Sequence, residues 1–426
     1  MVKIGVLGGY RGTSMINYCA ASYGKAKVVA ICDNNPEVLE RQKKIHDGED
    51  ITFYGDFNDF IEHDMDAVVL ANYANEHAPF AIRCLKKGLH VFSEVLPCQC
   101  MAEAVELIEA AEESGKVYAY GENYCFMPVP REMRRLYKEG RIGEIEYAEG
   151  EYIHNCESIW PSITYGERDH WRNRMFATFY CTHSLGPMIH ISGLRPVSVV
   201  GFEGTKNERR IRSGSFSGQF GIEMVTLENG AILKSIHGDL YTNSIWYAVY
   251  GSKGRMEADR EAAGVSDTLY LNADRYSGEY SDHPDVGAFD VSEKNDVIRR
   301  FGHGGSDYYI MDAFVDKING VDNADVIDVY EAMDMFIPGL LAYRSVLNGG
   351  APVAVPDLRD PAVRDKYRDD RACCDPKVAK EQLLPSFSKG DPDIPDSVYD
   401  EIKRRWEAEK NDGAYVKAAM SQGSLK

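Results

Sequence analysis

Short apolar runs alternate with helical periodicity through the first third of the chain. Val2–Leu7 runs into a glycine turn, Gly8-Gly9-Tyr10-Arg11-Gly12, after which Met15, Ile16, Cys19 and Ala20 recur at three- and four-residue intervals. Ala26–Cys32 is a second apolar run that stops at Asp33 and precedes a helix from about Pro36. A third, Asp66–Ala71, leads to a helix over Ala78–Lys87, and a fourth, His90–Ser93, ends at Glu94. Strands alternating with helices imply right-handed crossovers and a parallel sheet, so residues 1–122 are expected to form a doubly wound α/β domain.

The pattern changes near Gly143. Glu144–His154 alternates, and Val197–Phe202, Ile222–Leu227, Ile232–Ile236, Trp246–Gly251 and Gly254–Glu257 are strand-length, with Glu228-Asn229-Gly230 signalling a hairpin turn. Helical periodicity returns at Ser306–Asn319 and Val326–Leu347, where Met333, Phe336, Ile337, Leu340 and Leu341 read as core. Residues 123–356 are therefore expected to be an α+β domain with a mostly antiparallel sheet. Residues 357–426 are read as a polar, proline-dotted extension carrying one helix at Ser397–Lys410, with Val398, Ile402 and Trp406 on one face.

Composition narrows the partners. With 48 Lys+Arg against 67 Asp+Glu, the 426-residue chain carries a formal charge of −19, which argues against a nucleic acid. No run approaches the roughly 18 apolar residues of a membrane helix and no secretory signal is visible, so a cytoplasmic location is expected and no membrane partner. The ten cysteines read as buried thiols, and neither Cys98-x-Cys100 nor Cys373-Cys374 has zinc-site spacing, so no metal is expected. Long acidic runs such as Glu109–Glu113 read as solvated helix faces.

A glycine turn between a first strand and helix lets backbone amides approach a pyrophosphate at a helix N-terminus. Here the first glycine is displaced to Gly8, one residue short of the usual G-x-G-x-x-G. Asp33 closes the next strand about twenty residues on, where a carboxylate accepts from both ribose hydroxyls and repels a 2′-phosphate; no arginine follows at once, so NAD is preferred to NADP.

Three segments together resemble the Gfo/Idh/MocA family of NAD-dependent sugar oxidoreductases: this turn, Asn72–Glu94 with His77, and Met101–Ser114 leading to Tyr118–Asn123. The likeness spans roughly residues 1–350. It implies a Rossmann domain, a C-terminal open sheet that holds the sugar, a homo-oligomer, and a cofactor set of Gly8, Gly9, Tyr10, Arg11, Gly12, Asp33, Asn72, His77 and Glu94. Dehydrogenases of the family carry a lysine within Glu-Lys-Pro, whereas this chain has Glu94-Val95-Leu96-Pro97; Ser184 and Met188 stand where a helical aspartate and histidine are expected.

Gly121-Glu122-Asn123, Ala148–His154, Trp171-Arg172, Tyr180–Pro187 and Gly302–Asp307 are instead similar to the NAD-dependent glycoside hydrolases of family 109, which cleave α-linked N-acetylgalactosamine. The chain departs in a shortened segment between Arg172 and Tyr180 and in its long tail. The resemblance implies a tightly bound, recycled NAD, transient oxidation at C3 of a glycoside, removal of the C2 proton, elimination at C1, water addition and re-reduction. Tyr152 and His154, two apart on a strand, point to one face; the resemblance gives Tyr152 the C2 proton, with His154 as a cationic or hydrogen-bonding neighbour that brings the phenol into range. It gives His183 a proton at O3 or the leaving oxygen, and makes Tyr180 and Arg172 sugar anchors and Glu122 a hydroxyl anchor. His303 is placed against the cavity, or, with Asp307, as a cap of the following helix. A sugar or inositol dehydrogenase, a 3-keto-glycoside-forming oxidoreductase and a non-catalytic NAD and sugar sensor are the competing readings.

Overall fold

The computed structural model describes residues 1–262, 264–273 and 286–411; the rest of the expected extension, 412–426, lies outside the described residues. The first sheet contains β1 (Val2–Leu7), β2 (Ala26–Cys32), β3 (Thr52–Tyr54), β4 (Ala67–Leu70), β5 (His90–Ser93) and β6 (Tyr118–Tyr120), all parallel, in the order β3-β2-β1-β4-β5-β6. Its crossovers are α1 (Thr13–Ala21), α2 (Pro36–Ile45), α3 (Phe57–Phe60), α4 (His77–Lys86) and α5 (Met101–Ser114). Strand order reverses between β1 and β4, whose C-terminal ends, Leu7 and Leu70, are register partners; a ligand crevice opens at such a switch point.

After α6 (Pro128–Lys138) come β7 (Ile145–Ile153), the short helices α7 (Trp160–Thr164) and α8 (Trp171–Arg174), α9 (Thr182–Ser192), β8 (Pro196–Glu203) and α10 (Glu208–Arg212). The second sheet is then completed by β9 (Phe220–Leu227), β10 (Ile232–Gly238), β11 (Ser244–Gly251), β12 (Gly254–Ala258), β13 (Thr268–Ala273) and β14 (Val286–Asp290). Two long helices, α11 (Ser306–Ile318) and α12 (Val329–Leu347), precede β15 (Val353–Ala354), α13 (Pro361–Arg364), α14 (Pro376–Ala379) and α15 (Asp396–Asn411). The order β14-β13-β12-β11-β7-β10-β9-β8-β15 is antiparallel except where β10 runs parallel to β7, so the expected mostly antiparallel sheet is observed. The Glu228-Asn229-Gly230 turn joins β9 to β10 as an antiparallel hairpin.

Helix α9 lies directly on the inner face of this sheet. A side chain at Gly150 in β7 would place its Cβ 1.8 Å from the Ser184 carbonyl oxygen, so glycine sets the closeness of helix and strand. Met333, Phe336, Ile337, Leu340 and Leu341 of α12 are buried in the shared core, each contributing on the order of 2 kcal/mol by burial of apolar surface.

The acidic face of α5, expected to be solvated, is partly exposed and is also paired. Glu106, Glu109 and Glu112 pair with Arg371, Arg368 and Arg364 at 2.6–2.8 Å, and all three arginines belong to the extension. Like charges on one helix repel unless opposite charges face them, and the extension supplies those charges as it doubles back. The same segment closes on the second domain through Phe216, Ile394 and Tyr399, which form a small buried cluster, and Lys410 reaches Glu37 of α2 at 2.6 Å.

Candidate active site

The glycine turn at the end of β1 fits a dinucleotide. Gly8 has φ +95°, and a Cβ there would stand 2.4 Å from the Ala71 carbonyl; a Cβ at Gly12 would stand 2.4 Å from the Gly8 carbonyl. The turn is therefore pressed against β4, and α1 begins with no side-chain cap on its first amides, which leaves its positive dipole end for an anion. Asp33 accepts the Gly9 and Asn35 amides at 2.8 Å through one oxygen each, which fixes the carboxylate and leaves lone pairs for ribose hydroxyls. Burial raises the Asp33 carboxyl, opposed by those two amides. Oδ1 of Asn72, at the end of β4, is buried with no hydrogen-bond partner among the described residues, an acceptor waiting for a ligand or water.

Other members of the expected cofactor set have different work. Tyr10 is 38% exposed, with Arg41 over its ring at 5.3 Å. His77 is buried with Nδ1 2.9 Å from the Leu96 carbonyl and Nε2 3.3 Å from that of Asn72; burial pushes it down to about 4, and the neutral ring has one N–H to donate, to one of these two carbonyls. The Arg11 fork is taken by carboxylates: bidentate to Asp307 at 2.7 and 3.1 Å, and 2.7 Å from Glu94. Arg11 thus joins Glu94 of its own domain and Asp307 of the second. Asp307 also accepts from Ser14 Oγ and Asn123 Nδ2 at 2.8 Å. Burial acts to raise the Asp307 carboxyl, but Arg11 and the neighbouring His303 hold it well below its ordinary value.

Tyr152, His154, Tyr180 and His183 do come together, on the inner face of the second sheet against the end of the first. Tyr152 Oη is 3.1 Å from His154 Nδ1, and its ring is 4.7 Å from that of His183, which is 5.1 Å from Tyr180. Tyr180 stands two residues before the start of α9. Of the two kinds of neighbour expected for Tyr152, cationic or hydrogen-bonding, His154 is the hydrogen-bonding one. Burial pushes the Tyr152 phenol well above 10, and burial together with the nearby His183 lowers His154. Two groups sharing a desolvated pocket both favour their neutral forms, so the neutral phenol donates to a neutral imidazole. Tyr180 is pushed up to about 12 by burial, with Arg172 working against it. Arg172 stacks on Trp171 with its guanidinium carbon 4.5 Å from the ring centroid.

Glu122 departs most from expectation. Its side chain is fully buried; Oε2 accepts from Thr182 Oγ1 at 2.7 Å and Oε1 lies 2.7 Å from His183 Nδ1. Both oxygens are thus engaged within the protein, where the expected hydroxyl anchor faces His183, Thr182 and the Tyr124 amide. His303, whose side chain is 38% exposed, sits 3.0 Å by Nδ1 from Asn123 Nδ2 and 3.4 Å from Asp307, so it stands at the rim; Asp307 makes no cap hydrogen bond to α11.

Two parts of the site have no local sequence signal. Tyr124 stacks on His183 with centroids 4.0 Å apart at 23°, directly after the Glu122-Asn123 motif. His237 of β10 is the register partner of Tyr152 in β7, and its Nδ1 lies 3.5 Å from the fully buried Glu223. Glu223 accepts from Ser235, whose hydroxyl is 2.8 Å from that of Ser184, while both His237 ring nitrogens lack hydrogen bonds among the described residues.

Comparisons with known proteins agree with this architecture. Residues 2–122 match the family model of the NAD-binding Rossmann fold of the oxidoreductase family Gfo/Idh/MocA, and residues 240–363 match the glycosyl hydrolase 109 C-terminal domain. The glycosyl hydrolase family 109 protein 1 of Bacteroides thetaiotaomicron is 25% identical over 396 residues, 84% of each chain. Among solved structures, an oxidoreductase from Agrobacterium radiobacter in complex with NAD+, L-tartaric acid and magnesium superposes with a TM-score of 0.67 at 16% identity, covering 83% of this chain and 98% of the other. Levoglucosan dehydrogenase in complex with NADH and levoglucosan gives 0.67 at 17% identity, covering 83% and 99%. No helix among the described residues is long and apolar enough to cross a membrane.

Proposed function

Taking as premise that the chain joins the NAD-binding Rossmann domain of the Gfo/Idh/MocA oxidoreductases to a glycosyl hydrolase 109 C-terminal domain, and is an NAD-dependent enzyme, we propose that it hydrolyses glycosides with a retained NAD, acting on α-linked N-acetylgalactosamine or a closely related sugar. The observation that carries the reading is the convergence of two proton-handling pairs, Tyr152–His154 and Glu122–His183, on one aromatic-lined pocket. The glycine turn, Asp33 and Asn72 would hold the cofactor. Bound there, NAD would supply a transient oxidation of the C3 hydroxyl, which would acidify the neighbouring C2–H.

Tyr152 then takes the C2 proton as its own phenolic proton passes to His154, which avoids a free phenolate in a desolvated site. Glu122 holds His183 in the tautomer with a proton on Nδ1, leaving Nε2 to take a proton from O3 or deliver one to the leaving oxygen. Tyr180 and Arg172 flank the sugar, and Tyr124 shields His183 from water. Valine at position 95, where the related dehydrogenases have a lysine, supports relocation of the proton work to these pairs.

A panel of chromogenic α- and β-glycosides, offered to the NAD-loaded and the nucleotide-stripped protein, tests the reading. The expected result is cleavage only by the loaded form, with no free NADH accumulating. Equal cleavage by the stripped form would refute it, and stoichiometric release of NADH with an intact sugar would favour the dehydrogenase.

A further inference from the structure

A tyrosine of the second domain stands beside Asp33, and the C-terminal extension holds it there. Helix α7 ends at Tyr165, whose φ of +58° puts a bulky side chain where glycine or asparagine is usual, and Gly166 follows at φ +72°. Such strain persists only where the surrounding structure fixes it, and here α15 does so. A Cβ at Gly166 would stand 2.6 Å from the Lys403 amide nitrogen and 2.7 Å from the Tyr399 carbonyl oxygen, so the turn lies against the helix backbone. Trp406 of α15 packs on the Tyr165 ring with centroids 5.3 Å apart. Arg168, just beyond the turn, donates to the Ile394 carbonyl at 2.9 Å and to Asp396 Oδ1 at 2.8 Å.

On its other side Tyr165 meets the first domain. Burial raises the phenols of Tyr165 and Tyr73; the two hydroxyls interact with each other, and the Asp33 charge acts on both. Tyr73 follows Asn72 at the end of β4 and is 40% exposed. His170 stands edge-on to both rings, its centroid 5.3 Å from that of Tyr73 and 6.2 Å from that of Tyr165. Its Nδ1 accepts the Arg172 amide at 3.3 Å, which leaves the ring proton on Nε2, and that buried N–H has no hydrogen-bond partner among the described residues. A buried donor of this kind is completed by a ligand or a water. Helix α15 also touches the first domain directly, through Lys410 and Glu37 in the first turn of α2, whose cap residue Asn35 donates its amide to Asp33.

We propose that Tyr73 and Tyr165, one from each domain, form the adenosine wall of the NAD site, and that α15 holds Tyr165 in that wall so that the extension retains the cofactor. Asp33 is the carboxylate placed for the adenosine ribose, so aromatic rings beside it meet the adenine end, and a purine stacks on such faces. Tyr165 is the cofactor contact, and Trp406 is a positioning residue that acts through it. The inference rests on the retained NAD of the proposed function and is independent of the sugar chemistry. The glycosyl hydrolase 109 C-terminal match ends at residue 363 and α15 begins at Asp396, so the retention is supplied from beyond the matched domain.

Calorimetric titration of the full-length, nucleotide-stripped protein with ADP-ribose, which carries the adenosine half, and with nicotinamide mononucleotide, which lacks it, tests the wall. Tyr165→Ala should weaken ADP-ribose about tenfold, the value of one aromatic stack on a base, and leave the mononucleotide unchanged. Tyr165→Phe, which keeps the ring, should restore most of the loss. Trp406→Ala should weaken ADP-ribose several-fold, and adding it to Tyr165→Ala should cost nothing more, because the helix acts through that ring. Release of NAD from the loaded protein should quicken by the same factors. Undiminished ADP-ribose binding in Tyr165→Ala, or an equal loss of both ligands at an unchanged melting midpoint, would overturn the inference. Should Tyr165→Ala fail to fold, unaltered ADP-ribose binding in Trp406→Ala overturns the role of α15. No sugar is present, which separates the two claims: a protein that shows these effects yet cleaves no glycoside refutes the catalytic reading alone, and one that cleaves glycosides while ADP-ribose ignores both substitutions refutes the wall alone.

Discussion

Nδ1 of His183 lies 2.7 Å from Oε1 of Glu122, and the Glu122 side chain is fully buried. A carboxylate removed from water is costly unless donors compensate it, and the donors here are His183, Thr182 and the Tyr124 amide. Glu122→Gln keeps the shape and the acceptor for Thr182 while removing the charge that fixes the imidazole. Turnover of a chromogenic glycoside is expected to fall about 10²- to 10⁴-fold with KM changed little, because the substituted group touches the histidine and not the sugar. A large rise in KM at undiminished kcat would return Glu122 to the role of sugar anchor.

Tyr152 Oη lies 3.1 Å from His154 Nδ1, a proton acceptor. Tyr152→Phe should abolish cleavage while NAD stays bound, read as retained nucleotide absorbance after gel filtration. In heavy water the unaltered enzyme should place deuterium at C2 of the released sugar, since the C–H bond there breaks and is re-formed from solvent. An unlabelled product from an active enzyme would point to direct displacement at C1.

Much of the scaffold is legible in the sequence because its elements announce themselves locally. The predicted helix over Ser306–Asn319 is observed at Ser306–Ile318, and the Asn229-Gly230 turn closes the hairpin it signals. Thr52–Tyr54 and Val353–Ala354 carry no such signal, since two or three residues define no period, and Thr268–Ala273 and Val286–Asp290 lie toward the edge of the second sheet, where alternation is weakly enforced. The site divides in the same way. Tyr152 and His154 share a face by strand geometry alone. Glu122 and His183 are 61 residues apart, and only the packing of α9 under the end of β6 brings them into contact. The pairing of the acidic stripe of α5 is not legible because its arginine partners lie more than 250 residues downstream.

Asp307 ties the two domains to each other. Its carboxylate receives Arg11, Ser14 and Asn123, and it is 1% exposed. Asp307→Asn leaves the Arg11 guanidinium with Glu94 alone and should cost ~3 kcal/mol of unfolding free energy, as expected when one partner of a buried ion pair is removed. Denaturant unfolding followed by tryptophan fluorescence measures this, and an unchanged midpoint would show that Glu94 alone satisfies the arginine. Because Arg11 lies in the glycine turn, NAD affinity should fall with stability in this variant.

Acid should destabilise both domains, through His77 in the first and His170 in the second. Burial lowers His77 to about 4, and burial with the Arg172 charge does the same to His170. A histidine whose folded value lies below its unfolded value of about 6.5 takes its proton first in the unfolded chain. The stability these two residues allow is therefore complete above pH 6.5 and declines as the pH falls toward 4. His190 works in the opposite sense: although burial lowers it, Glu331 at 2.7 Å and Asp325 override this and raise it, so its contribution is present below pH 6.5 and is lost as the pH rises through the folded value. Urea unfolding in steps from pH 7.5 to 4.5 should show a falling midpoint, shallower in His77→Asn, whose amide can still donate to the Leu96 carbonyl. NAD release should run ahead of unfolding on the same scale, since His77 packs between the Asn72 and Leu96 carbonyls beside the nucleotide crevice. A midpoint independent of pH across that range would mean that the ring takes its proton as readily in the fold as in the unfolded chain.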